Sequence, residues 1–230
     1  MSNAPLIALL AGARETPEAA GWLAQTVATG VVIWARGADR VDVGLPERDA
    51  VPKDAAGILD VTHAFDTTTR SHARTEAPGA SYARISRAPW VAQAGDQWTH
   101  VDTIEAAVDA LPSGARVFAA TGRASLPILA THDGPVFLRQ LRHHDHPPGY
   151  QNCAYVFGAA PFDAEGEADL LTRLRIDVVL ARNIGGAGSF PKLAAARRLG
   201  LPVVLLRPPP VPAGAQLHDA QDVSDWVNSL

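Results

Sequence analysis

The sequence predicts an α/β protein of two doubly wound parallel-sheet lobes with a cleft between them. Three observations carry that prediction. Short apolar, β-branched runs alternate along the 230 residues with segments whose apolar side chains recur at helical spacing. Several of these runs end in turns dense in glycine or polar residues, where open parallel sheets receive their ligands. The stretch from Asp177 to Pro208 shows the pattern in full: Val178-Val179-Leu180-Ala181, then Arg182-Asn183-Ile184-Gly185-Gly186-Ala187-Gly188, then a helical segment closed by Gly200, then a second apolar run. Strand, glycine loop, helix and strand make two parallel strands with a right-handed crossover. From spacing alone, the glycines either form a tight turn or let backbone N–H groups reach a phosphate or carboxylate. The loop is not the Gly-x-Gly-x-x-Gly pattern.

Taken in order, residues 5–10 read as the first strand, with Gly12-Ala13-Arg14-Glu15 at its carboxyl end. Thr16 is the expected cap of a helix that has Pro17 at its first position and Ala20, Leu23, Ala24 and Val27 on one face. Gly30 stops it, and residues 31–34 form the next strand. Residues 36–55 read as a polar loop with room for one edge strand. Residues 57–61 are a buried strand that delivers Thr62-His63-Ala64-Phe65 to its carboxyl end, and a helix over 67–77 and a strand over 82–85 follow.

The segments Arg87-Ala88-Pro89-Trp90 and Gly95-Asp96-Gln97-Trp98 frame an irregular connection. A strand over 98–101 and a helix over 103–111, capped by Asp102 or Thr103, come next. Pro112-Ser113-Gly114 reads as a hinge, so the lobes are assigned to residues 1–112 and 113–230. The second lobe opens with a strand over 116–120, the turn Thr121-Gly122-Arg123 and a helix over 125–130. Strands over 135–138 and 154–157 flank a histidine-bearing loop. The helix over 164–174 has Asp163, Glu165 and Glu167 at its start, in keeping with the helix dipole. Residues 223–230 read as a short closing helix.

Composition narrows the functional classes. A hydrophobic content of 47% with 19% charged residues belongs to a globular chain with a sizeable core. A formal net charge of −4 offers no global basic field to draw nucleic acid or an acidic membrane. Every cationic residue except Lys53 and Lys192 is arginine. Planar arginine forks suit carboxylates and phosphates, and a GC-rich genome produces the same usage. The single cysteine, Cys153, excludes an intramolecular disulfide and a Cys-rich metal site. No basic leader precedes an apolar core and no apolar run approaches the ~20 residues of a membrane span, so the expected location is the cytoplasm. His143, His144 and His146 with Asp145 carry ligand chemistry, yet adjacent histidines on an irregular segment rarely converge on one ion, and no metal is expected. No Gly-x-Ser-x-Gly elbow gives a serine nucleophile its context.

Eight segments in the same order over nearly the whole chain resemble the precorrin-6A reductase family: Asp60-Val61-Thr62-His63-Ala64-Phe65, Arg87-Ala88-Pro89-Trp90, Gly95-Asp96-Gln97-Trp98, Ala120-Thr121-Gly122-Arg123, Gly158-Ala159-Ala160-Pro161-Phe162, Arg182-Asn183-Ile184-Gly185-Gly186, the Lys192-Leu193 to Arg197 run, and Leu201-Pro202-Val203 through Arg207-Pro208. The resemblance implies Rossmann-like lobes and an NADPH-dependent oxidoreductase of cobalamin biosynthesis that reduces a double bond of the precorrin-6A macrocycle to give precorrin-6B. It implies cofactor contacts at Gly12, Arg14, Glu15, Thr121, Gly122, Arg123, Asn183, Gly185 and Gly186. It implies substrate contacts at Thr62, His63, Phe65, Arg182 and Lys192. A non-catalytic tetrapyrrole- or nucleotide-binding paralogue, and an NAD(P)H reductase of another substrate, are the alternative readings.

Arg14, Arg123 and Arg182 suit the carboxylates of such a substrate, a cofactor phosphate, or a neighbouring acid. Hydride transfer asks for little acid–base machinery beyond placing nicotinamide over the acceptor and excluding water. A proton must also reach the reduced ring, and His63 is the candidate donor, with a structural hydrogen bond as the competing role. Arg36, just after Trp34, suits a 2′-phosphate. The chain departs from the family pattern at Ala13, Ala64, Asp66, Arg70, Arg182 and Ile184, and residues 36–56 are short for the family. The oligomeric state is open, a monomer included.

Overall fold

Strands that carry apolar side chains on both faces belong to sheets covered on two sides, and the structure meets that expectation twice. The computed structural model describes residues 4–230. Its first elements are β1 (Leu6–Ala11), α1 (Thr16–Leu23), β2 (Thr29–Trp34), β3 (Gly57–Val61), α2 (Thr67–Glu76) and β4 (Ser81–Ile85). The next set comprises β5 (Trp98–Val101), α3 (Ile104–Asp109), β6 (Val117–Ala120), a 3-10 turn (Arg123–Ser125) running into α4 (Leu126–Leu129), β7 (Val136–Gln140), β8 (Cys153–Phe157), α5 (Ala164–Arg173), β9 (Val178–Arg182), α6 (Pro191–Leu199) and β10 (Val203–Leu206). β11 (Ala215–Leu217) and α7 (Ala220–Asn228) close the chain.

The strands form two sheets, ordered β11-β4-β3-β1-β2 and β5-β10-β9-β6-β7-β8, and every pairing is parallel. Each sheet is sandwiched between two apolar clusters. Around the first, Leu9 and Leu59 face one side while Leu10 and Ile58 face the other. Around the second, Leu138 and Leu180 oppose Phe118 and Val179.

The division into two compact units does not follow the hinge read from Pro112-Ser113-Gly114. Among the described residues the first unit comprises 4–86 and 209–230, and the second 87–208. The proposed hinge is a tight turn inside the second unit, where Ser113 Oγ and the Gly114 N–H donate to the Asp133 carboxylate. β5 lies ahead of that turn yet pairs with β10, so residues 87–112 belong with the second sheet. β11 was absent from the sequence reading because it is three residues long with two of them exposed.

Four helix starts follow their capping chemistry, while α1, α4 and α6 begin without a side-chain cap. Asp66, Thr103, Asp163 and Asp219 each accept the N–H three residues on, and Gly200 ends α6 in a left-handed conformation at φ +67°. Thr16 does not cap α1. It lies within the helix, and its hydroxyl donates to Ala13 O at 2.8 Å while accepting the Gly12 N–H at 3.2 Å, so it braces the preceding loop.

An ion pair fastens the irregular segment before β5. Arg197 Nε and Nη2 donate to the two oxygens of Asp96 at 2.8 and 2.9 Å, and the Gln93 N–H donates to the same carboxylate at 2.8 Å. The Arg197 hydrogen bond holds the Asp96 carboxyl below its ordinary 3.8. A depressed carboxyl contributes stability above its unfolded pKa and loses it as pH falls through the folded value. Asp96→Asn is therefore expected to lower the unfolding free energy by about 2 kcal/mol at neutral pH. Urea denaturation at descending pH should show parent and variant converging below the ordinary carboxyl range.

Candidate active site

Open parallel sheets bind ligands beyond the carboxyl ends of strands where the winding changes direction. In the first unit the chain runs from β1 to β2 on one flank and then crosses to β3 on the other, so the switch point lies between β1 and β3. The loops 12–15 and 62–65 leave the sheet there, tied by the Ala13 N–H donating to Val61 O at 2.9 Å. In the second unit the chain winds from β6 out to β8, and α5 returns it to β9 on the opposite flank of β6. The loops Thr121-Gly122-Arg123 and 183–188 leave at that switch point. The sequence-predicted residues thus fall into two sets, one per unit.

In the first unit, a buried carboxylate organises the Thr62–Phe65 loop. Asp60 is fully buried and its Oδ1 accepts both the N–H and the hydroxyl of Thr62, at 2.8 and 2.7 Å. Its Oδ2 accepts the Tyr82 hydroxyl and lies 3.3 Å from Arg70 Nε and 3.3 Å from Arg84 Nη1. Burial, with the Asp60 charge and hydrogen bond, pushes the Tyr82 hydroxyl above the ordinary phenol range. Burial and the Arg84 charge lower Arg70. Two guanidiniums share one carboxylate, so the cluster keeps a net positive charge. Thr62 is spent on Asp60, while His63 and Phe65 are half-buried and Arg14 is exposed. His63 Nδ1 accepts the Phe65 N–H at 3.2 Å, which assigns the proton of the neutral imidazole to Nε2. Glu15 stands at the N-cap of α1 without a side-chain cap bond.

In the second unit, several predicted ligand groups serve the chain itself. The Thr121 hydroxyl bonds Ser125 Oγ at 2.7 Å, and Ser125 Oγ in turn donates to Gly122 O at 2.6 Å. Asn183 is consumed at both ends by a strap formed by residues 87–90: its Oδ1 accepts the Trp90 N–H at 2.8 Å and its Nδ2 donates to Trp90 O at 3.1 Å. Trp90 Nε1 donates to Gly186 O at 2.9 Å. Gly185 and Gly186 have φ of +69° and +77°, and a Cβ on them would stand 2.1 Å from Ala88 O and 2.5 Å from Arg87 Cδ. The space that these glycines leave is therefore filled by the strap.

Arg123 is exposed at the start of the 3-10 turn. Gly122, at φ +82°, leaves its missing Cβ position 3.7 Å from the Arg182 guanidinium, and burial lowers Arg182. Lys192, in the first turn of α6, donates to Ser189 O and holds its Nζ 5.7 Å from the Trp90 ring centroid. Burial pushes Lys192 down to about 8, with Glu167 opposing the shift. Glu167 is itself paired with Arg139 at 2.6 Å, and that guanidinium lies over the rings of Phe118 and Phe162.

Sequence reasoning missed the Asp60–Arg70–Arg84–Tyr82 cluster and the 87–90 strap. The signal for the first was present: an aspartate inside Gly57-Ile58-Leu59-Asp60-Val61 and an arginine inside Ser81-Tyr82-Ala83-Arg84-Ile85 are charges in strands that read as buried. The His143–His146 segment packs on aromatic rings, with His143 4.6 Å from Phe157 and His144 4.9 Å from Tyr155 between centroids. Among the described residues no group of three His, Cys, Asp or Glu is placed to hold a metal ion. Among them also, no helix is long and apolar enough to cross a membrane.

Comparison with known proteins gives a consistent result. A precorrin-6A reductase of Rhodobacter capsulatus is 38% identical over 174 residues, covering 74% of this chain and 69% of that protein. Precorrin-6A reductases of a Sinorhizobium species and of Mycobacterium tuberculosis are 31% and 32% identical, covering 76% and 75% of this chain and 70% and 72% of theirs. A solved structure described as CobK precorrin-6A reductase superposes with a TM-score of 0.81 at 33% identity, covering 98% of this chain and 96% of that one. The family model described as precorrin-6x reductase CbiJ/CobK matches residues 49–228, and the chain belongs to that family.

Proposed function

We propose that this protein reduces precorrin-6A to precorrin-6B in cobalamin biosynthesis, acting in the cytoplasm as an oxidoreductase on a C=C bond of the macrocycle with NADPH as hydride donor. Membership in the family over residues 49–228 is the observation that carries the reading. NADPH supplies a hydride from its nicotinamide ring to one carbon of the double bond, and the neighbouring carbon takes a proton. Two electrons and two hydrogens are thereby added.

The residues present fit a dinucleotide. At the second unit's switch point the exposed Arg123 guanidinium follows Gly122, whose missing side chain and positive φ leave the loop backbone open to an anionic group. In this reading Thr121, Gly122, Arg123, Asn183, Gly185 and Gly186 form cofactor loops, the exposed Arg123 meeting a phosphate while Thr121 and Asn183 keep the backbone in place. Gly12, Arg14 and Glu15 form the corresponding loop of the first unit, with Arg14 as its cation. Thr62, His63, Phe65, Arg182 and Lys192 bind the substrate. His63 delivers the proton from Nε2 in its imidazolium form, Nδ1 then keeping a proton of its own, so the Phe65 N–H contact to Nδ1 belongs to the neutral resting imidazole.

Lys192 supplies a pH signature. Its cation exists below about 8 and fades above it. Its attraction for a substrate carboxylate is therefore present at neutral pH and lost as pH rises. Lys192→Met is expected to raise KM for precorrin-6A about tenfold at neutral pH. Steady-state kinetics across pH should show the parent's KM climbing above about 8 while the variant's stays flat. The cofactor assignment is tested by titrating the protein with NADPH and NADH and following nicotinamide fluorescence. Tighter binding of NADPH is expected, and no binding of either nucleotide would exclude the reductase reading.

A further inference from the structure

The buried cluster of the first unit extends to a residue with no role in the reading above. We propose that Arg70 is a positioning residue for the reduction, holding the peptide groups of His63 and Ala64 and so aiming the His63 imidazole; the proposal rests on the substrate-facing role given to His63. Arg70 lies in α2, one residue beyond Thr69, whose N–H and hydroxyl both bond the Asp66 carboxylate at 2.9 and 2.7 Å. That cap fixes the start of the helix. From there Arg70 turns back, and its Nη2 donates to His63 O at 3.0 Å and to Ala64 O at 2.8 Å. The Asp66 N–H donates to His63 O as well, at 2.8 Å, closing the turn that presents the imidazole.

The other half of the guanidinium faces the strand end and the first residue of the loop. Nε lies 3.3 Å from Asp60 Oδ2 and 3.4 Å from Thr62 Oγ1. One rigid fork therefore spans the strand-end carboxylate and the two carbonyls beside His63. Arg70 is 2% exposed, and burying a guanidinium there costs desolvation that an apolar side chain of similar volume would avoid. Arg84 already opposes Asp60, so charge balance alone does not require a second arginine. What Arg70 adds is the pair of bonds to the loop. A lysine keeps the positive charge but concentrates its donors at one point, and it cannot face Asp60 and both carbonyls together.

The test combines kinetics with a readout independent of turnover. In the parent, 15N NMR of histidine-labelled protein is expected to show His63 as the Nε2–H tautomer; a dominant Nδ1–H form would overturn the proposal without any variant. In Arg70→Lys, thermal unfolding confirms that the unit is folded. In that variant kcat is expected to fall about tenfold or more, with KM for NADPH unchanged and the His63 tautomers mixed. A folded Arg70→Lys protein that retains either the parent kcat or the parent tautomer would overturn the positioning role. His63→Ala separates the two failures. If it retains the parent kcat, the role of His63 itself is wrong and the proposal falls with it. If it loses activity while Arg70→Lys does not, only the proposal falls.

Discussion

Replacing Asp60 with asparagine is expected to destabilise the first unit by about 3–5 kcal/mol, a large share of what a domain of this size has. The substitution changes almost no volume, so the effect isolates the charge. The introduced amide oxygen can still accept from Thr62, but Arg70 and Arg84, 2% and 4% exposed, would lose their shared carboxylate and face an amide. Two buried like charges would then lie within one cluster with nothing opposing them. The loop 62–65 is tied to the same groups, so unfolding and loss of the loop's geometry should appear together. Guanidinium chloride denaturation is the check, with Tyr82→Phe as a comparison that removes one hydrogen bond and costs about 1 kcal/mol. An Asp60→Asn protein as stable as Tyr82→Phe would show that the arginines are satisfied by other groups.

Gly185→Ala is expected to be the most damaging single methyl in the second unit. At φ +69° an L side chain carries about 1–2 kcal/mol of strain before any contact is counted. The new Cβ would also stand 2.1 Å from Ala88 O, a backbone atom that cannot rotate away. The 87–90 strap must therefore lift, and with it the Trp90 bonds to Asn183 and Gly186 and the face over which Lys192 lies. Loss of NADPH affinity by at least tenfold is expected, together with a stability loss of about 3 kcal/mol. Gly186→Val is expected to act through the same strap, because its side chain would meet Arg87 first. Unchanged nucleotide binding in Gly185→Ala would mean that the strap and the loop are not coupled to the cofactor.

These two sites also mark what the sequence could and could not reveal. The strand Gly57–Val61 was legible to the residue because its largely apolar run is bounded by turns on both sides. The loops after β1, β3, β6 and β9 were legible as the loops that leave the carboxyl ends of parallel strands. The partners of those loops were not. Trp90 and Asn183 are far apart in sequence, and nothing in the local pattern of either shows that one side chain closes on the other's backbone. Glycines 185 and 186 signalled a close approach, and only the fold shows that the approaching group is the chain's own strap. The domain boundary failed for a related reason. Pro112-Ser113-Gly114 has the composition of a linker, whereas the crossing at Ser86–Arg87 and the return at Pro209 are set by which sheet β5 and β11 join, a long-range pairing. Asp60 and Arg84 were the buried charges that a stricter reading of strand polarity would have singled out.

The most direct measurement is anaerobic incubation of the purified protein with precorrin-6A and NADPH carrying deuterium at the transferable position, with the product weighed by mass spectrometry. A gain of two hydrogens, one of them the deuterium, is the expected result. Precorrin-6A recovered unchanged beside protein that binds NADPH would contradict the assignment and point to another substrate; unchanged precorrin-6A with no nucleotide bound would leave a binding protein in place of a reductase.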